Sequence, residues 1–360
     1  MKLIALILRC SGLLLLGWLL CACVPEVVQT LFSAEDLRPP SLLSWQSSGS
    51  SELLLVFDEP VQAAAADFRL GLVAEDMPGD VDGSGSSGFE ILDLSVSAEG
   101  QLRLRLAEAV PPGAALALSG LASDLAGNST SFTLPLWSYN PQPAALLINE
   151  IISAGSDSHP DVVELYVTRA GNLAGLCLYI GLADDYDLRY VFASCEVAAG
   201  EYLVLHLKPQ GLDGEADELE AVDVSIGLDA YQYARDFWCH AEVQLSGKNG
   251  VLTLYDHPYG KVLDALLYSE RHSDSDTRYR GFGTAAFLAR AEALVASGGW
   301  LAAEGVVRPE DAADSAAVTS TRTLGRSSTS ADTDAAADWH VVPTRGASIG
   351  RQNTDERYQP

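Results

Sequence analysis

The chain has 360 residues, 48% of them hydrophobic and 20% charged, which is enough apolar material for two or three packed cores. Asp and Glu number 49 against 22 Lys and Arg, a formal charge of −27. Such a surface repels nucleic acid, whose binding needs neutralised phosphates, so nucleic-acid partners are excluded. It repels anionic lipid headgroups as well, so any membrane contact has to come from an anchor.

The first element is a targeting segment. Lys2 and Arg9 precede an apolar run from Leu13 to Leu20, which leads into Cys21-Ala22-Cys23. A positive start and a short apolar core fit a secretory signal, and the run falls well short of the roughly 20 residues of a spanning helix. Leu20-Cys21-Ala22-Cys23 resembles the bacterial lipoprotein signal box. The resemblance implies that residues 1–22 are removed, that Cys23 is acylated as the new N-terminus, and that the bilayer is reached through that lipid. Val24 follows the cysteine where Asp would argue for inner-membrane retention, so the outer membrane is the expected site, its periplasmic or surface face left open.

Residues 23–39 read as a tether ending in Pro39-Pro40. Short strands follow. "SELLLVF" is an apolar run closed by Asp58-Glu59-Pro60, and "FEILDLSVS" and "QLRLRLAEAV" alternate with period two, as half-buried strands do. Between them "DMPGDVDGSGSSG" reads as a loop, and Tyr139-Asn140-Pro141-Gln142-Pro143 as a boundary. "LLLVFDEPV" followed later by "DLAGN" resembles bacterial Ig-like domains over residues 40–140. In the second motif Asp124 and Asn128 can bond their own backbone and Gly127 can take positive φ.

The next stretch, "LLINEIISAGSDSHPDVVELYV" (146–167), places Glu150 and Glu164 inside apolar runs. A carboxylate there is costly unless paired or hydrogen-bonded. By strand alternation both face inward, and a hairpin symmetric about residue 157 would set them opposite each other, where like charges destabilise. Either the register is offset, or donors or a cation lie between them. "INEI" with "DVVELYV", then "LAGLCLYIG", "VAAGEYLVLHL", "VQLSGKNGVLTLYDHPYGKVLDALLYS" and "TLGRSSTSADTDAAADWHVVPTRGASIGRQN" resemble, in order, the lamin tail domain. The resemblance spans 145–354 and implies a second Ig-like sandwich. It also implies a structural role for the two glutamates, with backbone amides or an arginine such as Arg345 as donors. The departures are Val162 in place of a common Trp, a late Asn353, and an insertion at about 271–322. In that insertion Phe287, Ala291, Leu294 and Val295 share one helical face, with Gly298 as a stop, so a helix over 284–297 is expected, packed on the sandwich or offered to a partner.

The fold expected is therefore all-β: two Ig-like β-sandwiches in tandem, the second carrying a short helical insertion. Signals for chemistry are weak. The six histidines show no metal-ligand spacing, there is no CxxC, and "DVDGSG" (80–85) lacks the closing Glu of a calcium loop. No catalytic residue, metal ligand or cofactor is expected. Cys177 and Cys195 form a candidate disulfide if a hairpin is centred near Tyr186. The expected function is a non-enzymatic cell-envelope lipoprotein that binds or scaffolds another protein. The alternative is a metal-dependent hydrolase, or a nuclease accessory protein of the envelope.

Overall fold

The computed structural model describes residues 36–73, 88–241, 243–270 and 278–360. The signal segment, Cys23, most of the tether and the 80–85 loop lie outside these residues. The described chain is all-β with one α-helix.

Eight strands form the first sandwich: β1 (Leu42–Gly49), β2 (Glu52–Phe57), β3 (Arg69–Leu72), β4 (Gly88–Phe89), β5 (Ile91–Val96), β6 (Gln101–Leu106), β7 (Ala115–Ser123) and β8 (Ser129–Trp137). They pair antiparallel in two four-stranded sheets, ordered β1-β2-β6-β5 and β4-β3-β7-β8. The period-two runs explain the core. Leu53, Leu55 and Phe57 of β2 and Leu102, Leu104 and Leu106 of β6 point inward, while Arg103 and Arg105 face out. "FEILDLSVS" departs from the expected single half-buried strand. Phe89 pairs in one sheet and Ile91–Val96 in the other, so the segment crosses between them and β5 is largely exposed. The Asp124 turn is built from its own side chains: Asn128 N donates to Asp124 Oδ1 at 2.8 Å, and Gly127 sits at φ +94°.

The second sandwich contains β9 (Ala145–Ile152), β10 (Val162–Arg169), β11 (Gly171–Asn172), β12 (Cys177–Leu182), β13 (Asp185–Val191), β14 (Glu196–Val197), β15 (Tyr202–His206), β16 (Arg235–Trp238), β17 (Asn249–Tyr255), β18 (Val262–Ser269), β19 (Ala313–Asp314), β20 (Leu324–Arg326) and β21 (Trp339–Val341). A six-stranded sheet, β16-β15-β10-β9-β20-β21, faces a five-stranded one, β13-β12-β17-β18-β19, and β11 pairs with β14 alone. One core runs between the sheets, from Ile148, Val163 and Leu165 across to Leu178, Leu252 and Leu266. The helix α1 (Ala285–Ala296) starts at Thr284, whose hydroxyl accepts from Phe287 N, and Gly298 follows its end at φ +80°. It buries Ala291 and Leu294 and packs Phe287 and Val295 against this core. Arg290 on its other side grips Asp185 and Asp187 beyond β12.

The two sandwiches touch directly. The Trp137 and Tyr259 rings meet edge-on at 5.5 Å. Asn140 Nδ2 donates to the carbonyls of Asn172 and Ala174, both at 3.0 Å. Gly113 lies so close that a Cβ there would come within 2.6 Å of Gly175 N.

Candidate functional site

Three buried polar constructions stand out in the second sandwich. The first is the glutamate pair. Glu164 registers with Glu150 across β9 and β10, and neither has any solvent exposure. The register shifts immediately afterwards, leaving Asn149 as the extra residue of a bulge. The bulge turns the Asn149 side chain toward Glu164: its Nδ2 donates to Glu164 Oε1 at 2.7 Å and to Asn353 Oδ1 at 2.9 Å. Asn353 Nδ2 returns bonds to the carbonyls of Asn149 and Arg326, and Gly350 N donates to Glu164 Oε2. Glu150 takes bonds from the hydroxyls of Thr323 and Ser348 and from Ser348 N. Donors, not a register offset, keep the two charges together. Arg345 is not among them. It occupies a turn at φ +66°, its N bonded to Thr321 O, and the guanidinium whose charge favours ionised Glu150 is Arg351. Burial raises both carboxyl pKa values, and the charge on Glu150 raises Glu164 further. Glu164, with fewer donors, is the one that keeps its proton longer.

The second construction centres on Arg326, fully buried in β20. Its guanidinium donates to Ile148 O at 2.7 Å, Asp264 Oδ1 at 2.9 Å and Asp332 Oδ1 at 3.0 Å, and lies 4.7 Å from the Trp339 ring centroid. Burial pushes Asp264 up to about 7, with Arg326 offsetting part of the effect. Asp264, Asp332 and Asp334 are close enough together to share a cation, but the arginine already supplies the positive charge between the first two. Asp36, Glu59 and Asp124 form a second acidic cluster, in the first sandwich. Asp124 there already accepts from Asn128 N and Nδ2.

The third construction is the long excursion between β15 and β16, residues 207–234, which has no regular secondary structure. Two buried glutamates pin it. Glu215 accepts from the amides of Gln210, Gly211 and Leu212, and Glu218 from those of Val224, Ser225 and Asp236. Ser225 Oγ accepts from Trp238 Nε1, and Asp217 from Tyr190 Oη and Trp238 N. His206 Nε2 meets Asp236 Oδ1 at 2.8 Å, with its ring stacked on Trp238 at 4.0 Å. Leu212, Val222, Val224, Ile226 and Tyr233 nevertheless point to solvent, Ile226 being 69% exposed.

The expected Cys177–Cys195 disulfide is absent, and Cys177, Cys195 and Cys239 are buried thiols. The β12–β13 hairpin turns earlier than Tyr186, pairing Leu182 with Asp185 and Cys177 with Val191. Cys177 then packs outside the sheet with Tyr179 and Tyr255, while Cys195 enters the core between the sheets.

A family model described as TP_1001 protein second domain matches residues 144–341, more than half of the chain. The chain belongs to the TP_1001 second-domain family. The matched residues of this TP_1001 second domain include both glutamates, Arg326 and the whole excursion. A protein of Treponema pallidum (strain Nichols), described only as uncharacterised, is 35% identical over 161 residues, 44% of this chain and 40% of that one. The chain thus spans less than half of that relative. Among solved structures, the N-terminal part of the bacterial S-layer protein SbsC is 16% identical over 40% of this chain and 35% of its own, with a TM-score of 0.26. Dimeric latent PorU from Porphyromonas gingivalis is 10% identical over 65% and 20%, with a TM-score of 0.20. At these scores the likeness does not extend to a shared overall structure.

Proposed function

We propose that the chain is a non-enzymatic protein of the bacterial cell envelope, held by a lipid on Cys23, that docks another protein on the 207–234 excursion. The observation carrying this reading is the ordered display of apolar side chains there. Loops this long without regular structure are usually functional. Glu215 and Glu218 fix this one in place, so Val222, Val224 and Ile226 are held out in water, not simply left loose. Asp213, Glu220 and Asp223, all exposed, lie near them in sequence. The fitting partner therefore has an apolar centre ringed by Lys and Arg. The lipoprotein signal box supports the anchor, and the ordered lamin-tail motifs support an interaction module.

A photo-crosslinking residue at Val224, in cells making the full chain, tests the reading. The expected result is one discrete adduct with an envelope protein that, once purified, binds the chain more weakly as salt rises and no longer binds Ile226→Asp. No adduct above that of a crosslinker at the still more exposed Leu125, or binding that Ile226→Asp leaves intact, overturns it. Cys23→Ser should abolish acyl labelling and release the protein from membranes, while Cys21→Ser does neither.

A further inference from the structure

A second feature lies where the sandwiches meet. Trp45 of β1, Trp137 of β8, Tyr139 and, from the other sandwich, Tyr259 line a groove of about 540 Å³, within the range of small-ligand sites. Three of the rings face water: Trp45 is 39% exposed, Tyr139 40% and Tyr259 53%. Trp137 is buried, and its Nε1 has no acceptor among the described residues. A buried indole N–H without a partner is destabilising and marks a place where an acceptor belongs.

The polar groups around these rings are mixed in kind. Asp256 accepts from Lys261 N through Oδ1, leaving Oδ2 as an acceptor. His257 Nδ1 accepts from Tyr259 N, so the neutral ring that burial favours carries its proton on Nε2, a donor. The hydroxyls of Tyr139 and Tyr259 can do either.

We propose that this interdomain groove binds a carbohydrate chain. Sugar rings present apolar C–H faces that pack on aromatic rings, and hydroxyls that both donate and accept. The groove supplies rings, donors and acceptors together. A proline-rich segment also favours aromatic grooves, but proline has no N–H to offer, which leaves the Asp256 acceptor unmet. Tyr259, in edge contact with Trp137, is the exposed ring beside the indole on which a sugar face packs. Because both sandwiches contribute walls, the bound sugar also reinforces their docking.

The test uses the full chain carrying Cys23→Ser, probed on an array of neutral oligosaccharides of glucose, galactose and N-acetylglucosamine with decaproline alongside. Retained sugars are then titrated calorimetrically. The expected result is binding of at least one oligosaccharide, with a rise in melting temperature. That binding should weaken roughly tenfold in Tyr259→Ala and in Trp45→Ala, and stay unchanged in Ile226→Asp. If Trp45→Ala loses stability through its bond to Pro135 O, then Tyr139→Ala, whose hydroxyl makes no such bond, takes its place beside Tyr259→Ala. Retention of no sugar, retention of decaproline instead, or affinity unchanged in the aromatic variants overturns the proposal. None of these outcomes bears on docking at the excursion.

Discussion

Glu164 faces Glu150 across β9 and β10, and the side-chain amide of the bulged Asn149 is aimed at it. Without the bulge, strand alternation would send Asn149 to the opposite face. The pair therefore depends on one extra backbone residue as much as on its own side chains.

Glu164→Ala should destabilise the chain. It removes the acceptor of Gly350 N and one acceptor of Asn149 Nδ2, at about 1–3 kcal/mol for each buried donor left unmet. Glu164→Gln removes the like charge but turns its amide NH2 toward one of the two donors, Asn149 Nδ2 or Gly350 N, so it should fall between the alanine variant and the parent. Urea titrations of both variants check this, and an alanine variant as stable as the parent would contradict it.

Stability should fall as pH rises from about 4.5 toward 7. Burial holds Glu150, Glu164 and Asp264 above their ordinary range, Asp264 at about 7. A carboxyl whose pKa is raised on folding stabilises fully below its unfolded value and stops doing so as pH climbs through its folded value, with a slope of up to about 1.4 kcal/mol per pH unit per group. Carboxylates held low, such as Asp185 beside Arg290, act with the opposite sign only in more acid solution, while His257 and His340, held low by burial, offset part of the fall below about pH 6.5. The urea midpoint should be higher at about pH 5 than at about pH 7.5, and the difference should shrink in Glu164→Gln. A midpoint that rises over this interval would refute the assignment.

Glu218→Ala should loosen the excursion. The variant leaves the amides of Val224, Ser225 and Asp236 without their acceptor. Limited proteolysis should then cut within residues 211–233 while the remaining sheets resist. Equal resistance in parent and variant would show that the glutamate does not hold the loop.

Alkylation should find three thiols in the second sandwich. Cys177, Cys195 and Cys239 should all resist iodoacetamide in the folded chain, since all are buried and burial pushes the last two thiols up. All should react once the chain is unfolded without reductant. Any cystine-linked peptide among them would contradict the structure.

Much of this was legible in the sequence. "ELLLVF" and "QLRLRL" bury alternate residues as their period dictates, and the α1 face emerges from the spacing of Phe287, Ala291, Leu294 and Val295. The opposition of Glu150 and Glu164 follows from hairpin symmetry. Their donors did not, because Thr323, Ser348 and Gly350 lie far along the chain and nothing local marks their direction. The disulfide failed on register: a turn a few residues earlier than assumed moved Cys177 onto Val191. Arg326 and Asp264 stood in stretches that resemble lamin tail motifs, but their burial as a pair depends on sheet order, which spacing does not disclose. The excursion had no sequence signal, since the folding role of Glu215 and Glu218 rests on amides that curl back only in three dimensions.

The pieces that complete the glutamate pair arrive late. Ser348 reaches Glu150 across 198 positions of sequence, and Asn353 reaches Asn149 across 204. A chain emerging from its N-terminus, from a ribosome or through a narrow pore, presents the β9–β10 hairpin long before those donors exist. Until then Glu150 has no donor and Glu164 has only the local Asn149 amide, so the hairpin has little reason to close. The second sandwich is thus self-timed: it stays threadable for most of its passage and locks when its last segment comes through.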